Sequence, residues 1–166
     1  MFVFSYSNIN AQLRNISEES DVVTVTNIDS YFDTAKKSTV SKTAKLNAQN
    51  LKTLTTKVQP SVYCYSNTVN TYGDKPVNLF TDMNSLAQVD NLVTLKNNIE
   101  IVIIKIDNAS QLNSSINLAL LSNFKKIKYI YIVSSVTISS SEIANMITNY
   151  DEKYSVFYKI DKGDNK

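Results

Sequence analysis

The fold is decided by the stretch from residue 99 to residue 135, IEIVIIKIDNASQLNSSINLALLSNFKKIKYIYIVSS. Two runs rich in β-branched residues, at 99–106 and 127–133, flank a segment whose apolar residues recur at helical spacing. A run that is apolar on both sides needs cover on both faces, and strands that are joined through helices pair in parallel. The stretch therefore predicts a buried parallel sheet in an α/β fold.

The rest of the chain continues this alternation of strands and helices. The pattern predicts five strands, at residues 21–28, 61–66, 99–106, 127–133 and 154–160. It predicts four helices between them, at 41–58, 84–96, 111–123 and 139–149, with loops at 29–39 and 67–83. We therefore expect a single domain with a mostly parallel five-stranded sheet, β-α-β-α-β-α-β-α-β order and helices on both faces.

One aliphatic spacing occurs twice in the second half of the chain. Two sets share it, 26 residues apart: Ile101, Ile104, Ile106 and Leu112, then Ile127, Ile130, Ile132 and Ile138. Over residues 85–160 this frame resembles the L-x-x-L-x-L units of leucine-rich repeats, and the resemblance implies a short βα solenoid as the alternative fold. Ala109 and Ser135 stand where that family has its asparagine. Ile101 and Ile103 would face solvent on the open side of such a solenoid.

The residue inventory excludes several kinds of catalytic site. The chain has 166 residues, of which 43% are hydrophobic, but no His, two Gly and one Cys. Without His there is no Ser-His-Asp triad, and a lone Cys64 forms neither an internal disulfide nor a cysteine-rich zinc site. Gly73 and Gly163 are too isolated for a glycine-rich phosphate loop. We expect Cys64 to be a buried, unreactive thiol rather than a nucleophile.

The first twelve residues, MFVFSYSNINAQ, resemble the end of a secretion signal. They join a short apolar run to an Ile-Asn-Ala sequence before Gln12, which is typical of a cleavage site. This predicts a truncated signal-peptide remnant at 1–12, an exported (periplasmic or extracellular) domain at 13–160 and a frayed tail at 161–166. The alternative is a cytoplasmic protein that starts at Met1, with a first strand at residues 2–6. No transmembrane segment is expected, because the apolar run at 99–106 is far shorter than the ~20 residues of a spanning helix.

Polar residues follow the predicted strands at their carboxyl ends, where parallel α/β sheets bind ligands. The ligand-binding candidates are Asp29, Asp33, Asn67, Asp107 and Asn108. Asp29 and Asp107 are the candidate pair for a hard cation such as Mg²⁺ or Ca²⁺, which takes oxygen ligands. The same residue types also cap helices and form turns, and that interpretation needs no ligand at all.

Basic residues are concentrated in one part of the sequence. No acid occurs between Asp33 and Asp74, and six lysines lie in this interval: Lys36, Lys37, Lys42, Lys45, Lys52 and Lys57. Such a face could meet an anionic polymer or lipid head groups, or it could simply be solvated. Aromatic residues are absent from the predicted helix at 41–58, so we expect no nucleic-acid partner.

Two hypotheses about function follow from these patterns. The first is a small exported, non-catalytic α/β protein that binds a protein partner or belongs to an envelope assembly, without a cofactor. The alternative is a hydrolase or phosphotransfer-type enzyme that uses the carboxylates of Asp29 and Asp107 with Mg²⁺ or Ca²⁺. The first is favoured because the chain is poor in the side chains that usually catalyse reactions at neutral pH.

Overall fold

A computed structural model describes residues 23–163 of the chain. The predicted signal-peptide remnant at 1–12 lies outside the described residues, as do residues 13–22 and 164–166. The strands are β1 (Val25–Asn27), β2 (Ser61–Tyr65), β3 (Thr68–Tyr72), β4 (Asn78–Asp82), β5 (Ile101–Ile106), β6 (Ile116–Asn117), β7 (Tyr129–Ser134), β8 (Ile147–Thr148) and β9 (Ser155–Ile160). The helices are α1 (Ile28–Ala35), α2 (Lys42–Thr56), α3 (Val89–Leu92) and α4 (Ser140–Met146), with 3-10 turns at Leu86–Gln88, Ala109–Asn113 and Leu118–Leu121.

The main sheet is mostly parallel, which confirms the α/β class. Its order is β1-β9-β7-β5-β4-β2-β3, and every pairing is parallel except the β2–β3 hairpin. The predicted number of five strands was wrong, because the described sheet has seven. From β2 to β9 the parallel strands lie side by side in chain order, as in the coil of a solenoid. A second, two-stranded sheet pairs β6 with β8.

The sheet has a core on each face. The first, which we call the connection core, packs β5 side chains such as Val102 and Ile104 against residues of the segments that join the strands, among them Leu121 and Ile143. The second, the helix core, packs Ile101 and Ile103 of β5, with their neighbours in β7 and β9, against α1 and α2. Helices therefore lie on both faces, and the two-faced apolar run at β5 is covered twice, as its sequence requires.

Helix α1 replaces the loop that was predicted at 29–39. The Asn27 side chain accepts hydrogen bonds from the N–H groups of Asp29 and Ser30, both at 3.1 Å, and so caps a helix immediately after β1. Ile28 is buried at the start of an apolar stripe that continues through Tyr31, Phe32 and Ala35. The Tyr31 ring lies 4.8 Å from the Phe157 ring of β9. The prediction of a loop at 29–39 failed because the capping residue, Asn27, is also the last residue of β1, so the sequence shows no separate start for the helix.

The connections also differ from their predicted form. The predicted loop at 67–83 contains β3 and β4, and the predicted helix at 111–123 is a pair of 3-10 turns around β6. The helix predicted at 84–96 shortens to a 3-10 turn and α3, which leaves Leu95 half exposed. Asn117 accepts a hydrogen bond from the N–H of Ala119 at 3.0 Å, so a polar cap interrupts the helical spacing. The start of the predicted helix at 139–149 is confirmed by α4, whose capping box joins Ser139 and Glu142, but α4 ends at Met146 and residues 147–148 form β8.

The 26-residue repeat predicted from the sequence does not match the residue pairing between neighbouring strands of the sheet. Ile104 pairs with Ile132, 28 residues later, whereas the sequence frame placed equivalent residues 26 apart. On the next pair of strands Ile130 faces Val156, 26 residues later. Unequal spacing follows from the different turns and helices between the strands.

In the predicted tail at 161–166, the N–H of Asp161 still donates to Ser134 O at 2.8 Å.

Among the described helices, none combines the length and the apolar character that a membrane-spanning segment requires.

Helix α2 provides a matched test of the helix core. Leu51 is fully buried against the sheet, whereas Leu46 on the same helix is 54% exposed. We expect Leu51→Ala to lower the free energy of unfolding by about 2–5 kcal/mol through lost burial and a cavity. Leu46→Ala should change it by less than about 0.5 kcal/mol. Urea unfolding followed by circular dichroism measures both, and equal effects would contradict this packing of α2.

Candidate functional site

The five predicted ligand-binding residues lie at exposed positions near strand ends. Asp29 is in the first turn of α1, and its Oδ2 lies 3.2 Å from Lys159 Nζ. Asp33 is also on α1, 2.8 Å from Lys36 Nζ, and the hydrogen bond and charge of that lysine lower the pKa of Asp33. Asp107 follows β5, and its Oδ1 lies 2.8 Å from Lys105 Nζ. These carboxylates are held in ion pairs within the chain.

The two asparagines have structural roles that are visible in the hydrogen bonds. Asn108 caps the 3-10 turn at Ala109–Asn113 and forms a capping box with Gln111. Asn67 lies in the turn between β2 and β3, and its N–H donates to Ser85 Oγ at 3.0 Å. Helix capping was the alternative interpretation of these residues that needs no ligand, and it accounts for the position of Asn108.

The sheet order keeps the predicted metal pair apart. Asp29 follows β1 and Asp107 follows β5, and the strands β9 and β7 lie between them. Three strand spacings amount to roughly 14 Å, which is beyond the reach of two ligands on one ion. In the part of the chain from 23 to 163, no three acidic or Cys side chains cluster in a way that suits a metal ion. Mg²⁺ or Ca²⁺ bound between Asp29 and Asp107 is therefore not supported by the geometry.

One buried carboxylate was missed by the sequence analysis. Asp82, at the end of β4, is 9% exposed and accepts hydrogen bonds from the N–H of Ser85 at 2.6 Å and of Ser66 at 3.2 Å. Burial by itself raises the pKa of Asp82, but hydrogen bonds from Ser85, Ser66 and Asn84 outweigh it and hold the pKa below its usual value. The ionised carboxylate thus ties the end of β4 to the β2–β3 turn.

The hydrogen bonds of Asp82 and Ser85 support the turn between β2 and β3, which its own residue types do not predict. Ser66 and Asn67 have φ values of 50° and 58°, the positive pair of a type I′ hairpin turn, in which glycine and asparagine are preferred. The β-branched and aromatic residues at 68–72 were the available signal for β3, but the turn lacks the Asn-Gly or Asp-Gly sequence that usually marks a hairpin. Asp82 and Ser85 supply from outside the turn the bonds that fix its conformation.

Cys64 is buried in the connection core beside Thr81. Burial raises the pKa of the Cys64 thiol, and the nearby charge of Asp82 raises it further. A buried thiol with a raised pKa is a poor nucleophile, because the thiolate is the reactive form. The expected unreactive character of Cys64 is consistent with this environment.

The hairpin ends in an open edge of the sheet. β3 is the last strand on its side, with four of its five residues exposed and Val69 half-buried. Its register with β2 runs without a bulge from Tyr65–Thr68 to Ser61–Tyr72. In a hairpin closed by a two-residue turn, the residues that flank the turn form a hydrogen-bonded pair, and such pairs then alternate. The backbone N–H and C=O groups of Val69 and Thr71 therefore point away from β2, along the open edge.

An aromatic patch adjoins this edge on the helix-core face. Its members are Tyr63, Tyr65, Tyr72 and Phe80. The Tyr63 ring stacks on Phe80 with centroids 4.7 Å apart and planes 5° apart, and it meets the Tyr72 ring edge-on at 5.6 Å. These contacts hold the rings in place, although Tyr72 is 63% exposed. The result is a continuous aromatic surface at the end of the sheet.

A groove of about 570 Å³ separates this patch from the end of α2. Val58, Gln59, Ser61, Tyr63, Asn70 and Tyr72 line it. The predicted helix at 41–58 is too long at its end, because α2 ends at Thr56 and the Val58 side chain is fully exposed. An exposed valine beside an exposed tyrosine and an open strand edge forms the candidate binding surface of this protein, which we call the β3 surface.

The Asp82 network generates a pH-dependent prediction. We expect Asp82→Asn to lower the free energy of unfolding at pH 7 by about 2 kcal/mol, because an amide cannot accept both N–H bonds. The folded-state pKa of Asp82 is lowered, so its stabilisation is complete above the unfolded value near 4 and is lost as pH falls through the folded value. The difference from wild type should therefore shrink in acid.

Urea unfolding between pH 7 and pH 2 measures this difference. Asp74→Asn, at an exposed position in the loop after β3, is the matched control and should stay within about 0.5 kcal/mol of wild type throughout. A difference between wild type and Asp82→Asn that does not change with pH would contradict an ionised, hydrogen-bonded Asp82.

Comparison with known proteins identifies no relative of this chain from which a function could be inferred. No family model, no curated protein and no solved structure matches the chain. We therefore infer the function from the residues and geometry of the β3 surface and of the helices α1 and α2.

Proposed function

We propose that this protein is a small, non-catalytic α/β module that binds another protein by adding an extended segment of that partner to β3. The observation that carries the proposal is the open edge of β3 beside Val58 and Tyr72. Recognition by strand addition uses main-chain hydrogen bonds for affinity and side-chain pockets for specificity. The β3 surface offers both elements next to each other.

The edge lacks the devices that normally prevent strand addition. Native proteins protect edge strands with charged residues, proline, bulges or very short strands. The β3 residues, Thr-Val-Asn-Thr-Tyr at 68–72, include neither a charge nor a proline, and the pairing with β2 is regular. At the opposite end of the sheet, β1 has three residues and leads directly into α1. Only β3 therefore presents a long, unprotected edge within the described chain.

The chemistry of the surface indicates a polypeptide segment with alternating apolar residues. Val69 and Thr71 would exchange up to four backbone hydrogen bonds with an added strand, each contributing about 0.5–1.5 kcal/mol net. Side chains on alternate positions of that strand would lie toward Tyr72 and Val58. Covering an exposed valine adds about 1.5–3 kcal/mol of apolar burial. Together these contributions suit a partner segment of a few residues.

The cellular setting in the proposal comes from the sequence of residues 1–12, which predicts an exported protein or an envelope component. Fractionation of cells that express the gene together with its in-frame upstream DNA tests this part separately. Recovery of the protein in the periplasm or the medium is expected. Recovery in the cytoplasm alone would contradict export without affecting the binding proposal.

The binding proposal is tested with peptides selected from a linear display library on the full-length protein. We expect the selected peptides to alternate apolar residues and to bind wild type with their affinity reduced at least about tenfold by Thr71→Pro, which removes an outward N–H. Thr71→Ala is the matched control, since it keeps the N–H group and should bind within about twofold of wild type. Tyr72→Ala should weaken binding without unfolding the protein, because Tyr72 is largely exposed.

Amide hydrogen exchange locates the bound segment. The amides of Val69 and Thr71 should exchange rapidly in the free protein and slowly in the complex. Selected peptides that bind Thr71→Pro as well as wild type, or that protect other amides, would contradict strand addition. Self-association of the purified protein that Thr71→Pro abolishes would show that a second copy, rather than another protein, occupies the edge.

A further inference from the structure

Residues 28–57, which comprise α1, α2 and the turns at their ends, form the layer that covers the helix-core face, and we call them the helix layer. The lysines of this layer differ from those in or next to the sheet strands in their charge partners. The sheet lysines are paired: Lys105 with Asp107, Lys128 with Glu100 and Lys159 with Asp29, at 2.8, 3.7 and 3.2 Å. In the helix layer, Lys36 is paired with Asp33. The other five, Lys37, Lys42, Lys45, Lys52 and Lys57, form no ion pair with any residue between 23 and 163. Within residues 23–163, the outer surface of α2 and the segments that flank it therefore carry positive charge that no ion pair offsets.

Three of these helix-layer lysines surround a groove between α1 and α2. The groove has a volume of about 300 Å³ and is lined by Lys36, Lys45, Lys52 and Gln49, with Phe32, Ala35 and Ala48 as its apolar residues. Ala48 is nearly completely buried, and Phe32 and Ala35 are half-buried. Small side chains at 35 and 48 leave space between the helices, and the lysines project from both sides of that space. We call this feature the lysine groove.

The combination of an apolar floor and a cationic rim restricts the kind of ligand. A flat bilayer cannot reach a recessed floor between two helices, whereas a side chain on a polypeptide can. A phosphate polymer would use the lysines but leave the apolar floor unfilled, and arginine, which is preferred for bidentate phosphate contacts, is absent from residues 23–163. Carboxylates matched to the lysines, together with a bulky apolar side chain, satisfy both parts of the groove.

We propose that the lysine groove binds an acidic polypeptide segment in which a bulky apolar residue lies between Asp or Glu residues. The apolar side chain enters the space above Ala35 and Ala48, and the flanking carboxylates pair with Lys45 and Lys52. The charge complementarity comes from Lys45 and Lys52, which line the groove and form no ion pair with any residue from 23 to 163. This site is separate from the β3 surface, and the proposal goes beyond strand addition.

The test uses a short fluorescein-labelled peptide of repeating Glu-Glu-Leu and the full-length protein, with binding followed by fluorescence anisotropy. We expect binding that weakens as salt is raised, since exposed charges are screened. The double variant Lys45→Gln/Lys52→Gln should bind at least about tenfold more weakly than wild type. Lys37→Gln/Lys57→Gln removes the same charge from helix-layer positions outside the groove and should weaken binding no more than about twofold.

A second peptide and a vesicle control separate the groove from a general positive field. A Glu-Glu-Ser repeat has the same charge but no apolar side chain, and we expect it to bind about tenfold more weakly. The proposal is overturned if the Leu peptide does not bind, if both double variants lose affinity equally, or if the two peptides bind alike. Phosphatidylserine vesicles that bind through Lys45 and Lys52 in place of the peptide would also overturn it. Circular dichroism is the control for folding of the variants. We expect both double variants to fold, because the four substituted lysines are partly or fully exposed.

Discussion

The constraint on which this structure depends is the burial of β5 on both faces. Ile101 and Ile103 lie on one side of the strand and Val102 and Ile104 on the other, and all four are less than one-tenth exposed. β5 is at the centre of the sheet, so neither side can be left to water without exposing a large apolar area. The connecting segments cover one side as the chain winds from β2 to β9. The other side requires a separate layer, and α1 and α2 provide it.

This requirement also explains the path of the chain. β1 lies beside β9 at one end of the sheet, and β2 lies at the other side beyond β4. The segment between β1 and β2 must therefore cross the whole helix-core face, and it crosses as two helices. The inner residues of those helices, such as Leu51 and Leu54, enter the core, while lysines occupy the outer surface. Because both faces are occupied by the chain itself, the partner surfaces that we propose lie at its sheet edge and on the outside of α1 and α2.

The parts of the fold that could be predicted are those whose signal is local and periodic. β5, β7 and α2 follow from aliphatic runs and helical spacing, and α4 follows from the Ser139 capping box. The β2–β3 hairpin was missed because the turn at Ser66 and Asn67 lacks the usual glycine and is fixed by Asp82, sixteen residues away in sequence from Ser66. α1 was missed because Asn27 ends a strand and caps a helix at the same point.

The candidate sites depend on strand order, which local patterns do not contain. Asp29 and Asp107 were paired only because each follows a predicted strand, and in the sheet two other strands separate β1 from β5. The exposed position of Val58, and the lack of an ion pair for Lys45 and Lys52 within residues 23–163, likewise follow from tertiary structure. The uneven distribution of lysine was visible in the sequence, but the groove between α1 and α2 was not.

Cysteine accessibility tests the two-sided burial of β5 most directly. In a Cys64→Ala background, Ile103→Cys probes the helix-core face and Ile104→Cys the connection-core face, with Tyr72→Cys as the exposed control. The account predicts that a thiol reagent modifies positions 103 and 104 only as fast as the protein unfolds, while position 72 reacts at once. Rapid modification of native Ile103→Cys, at a rate near that of Tyr72→Cys, would show that α1 and α2 do not cover the sheet and would contradict the account.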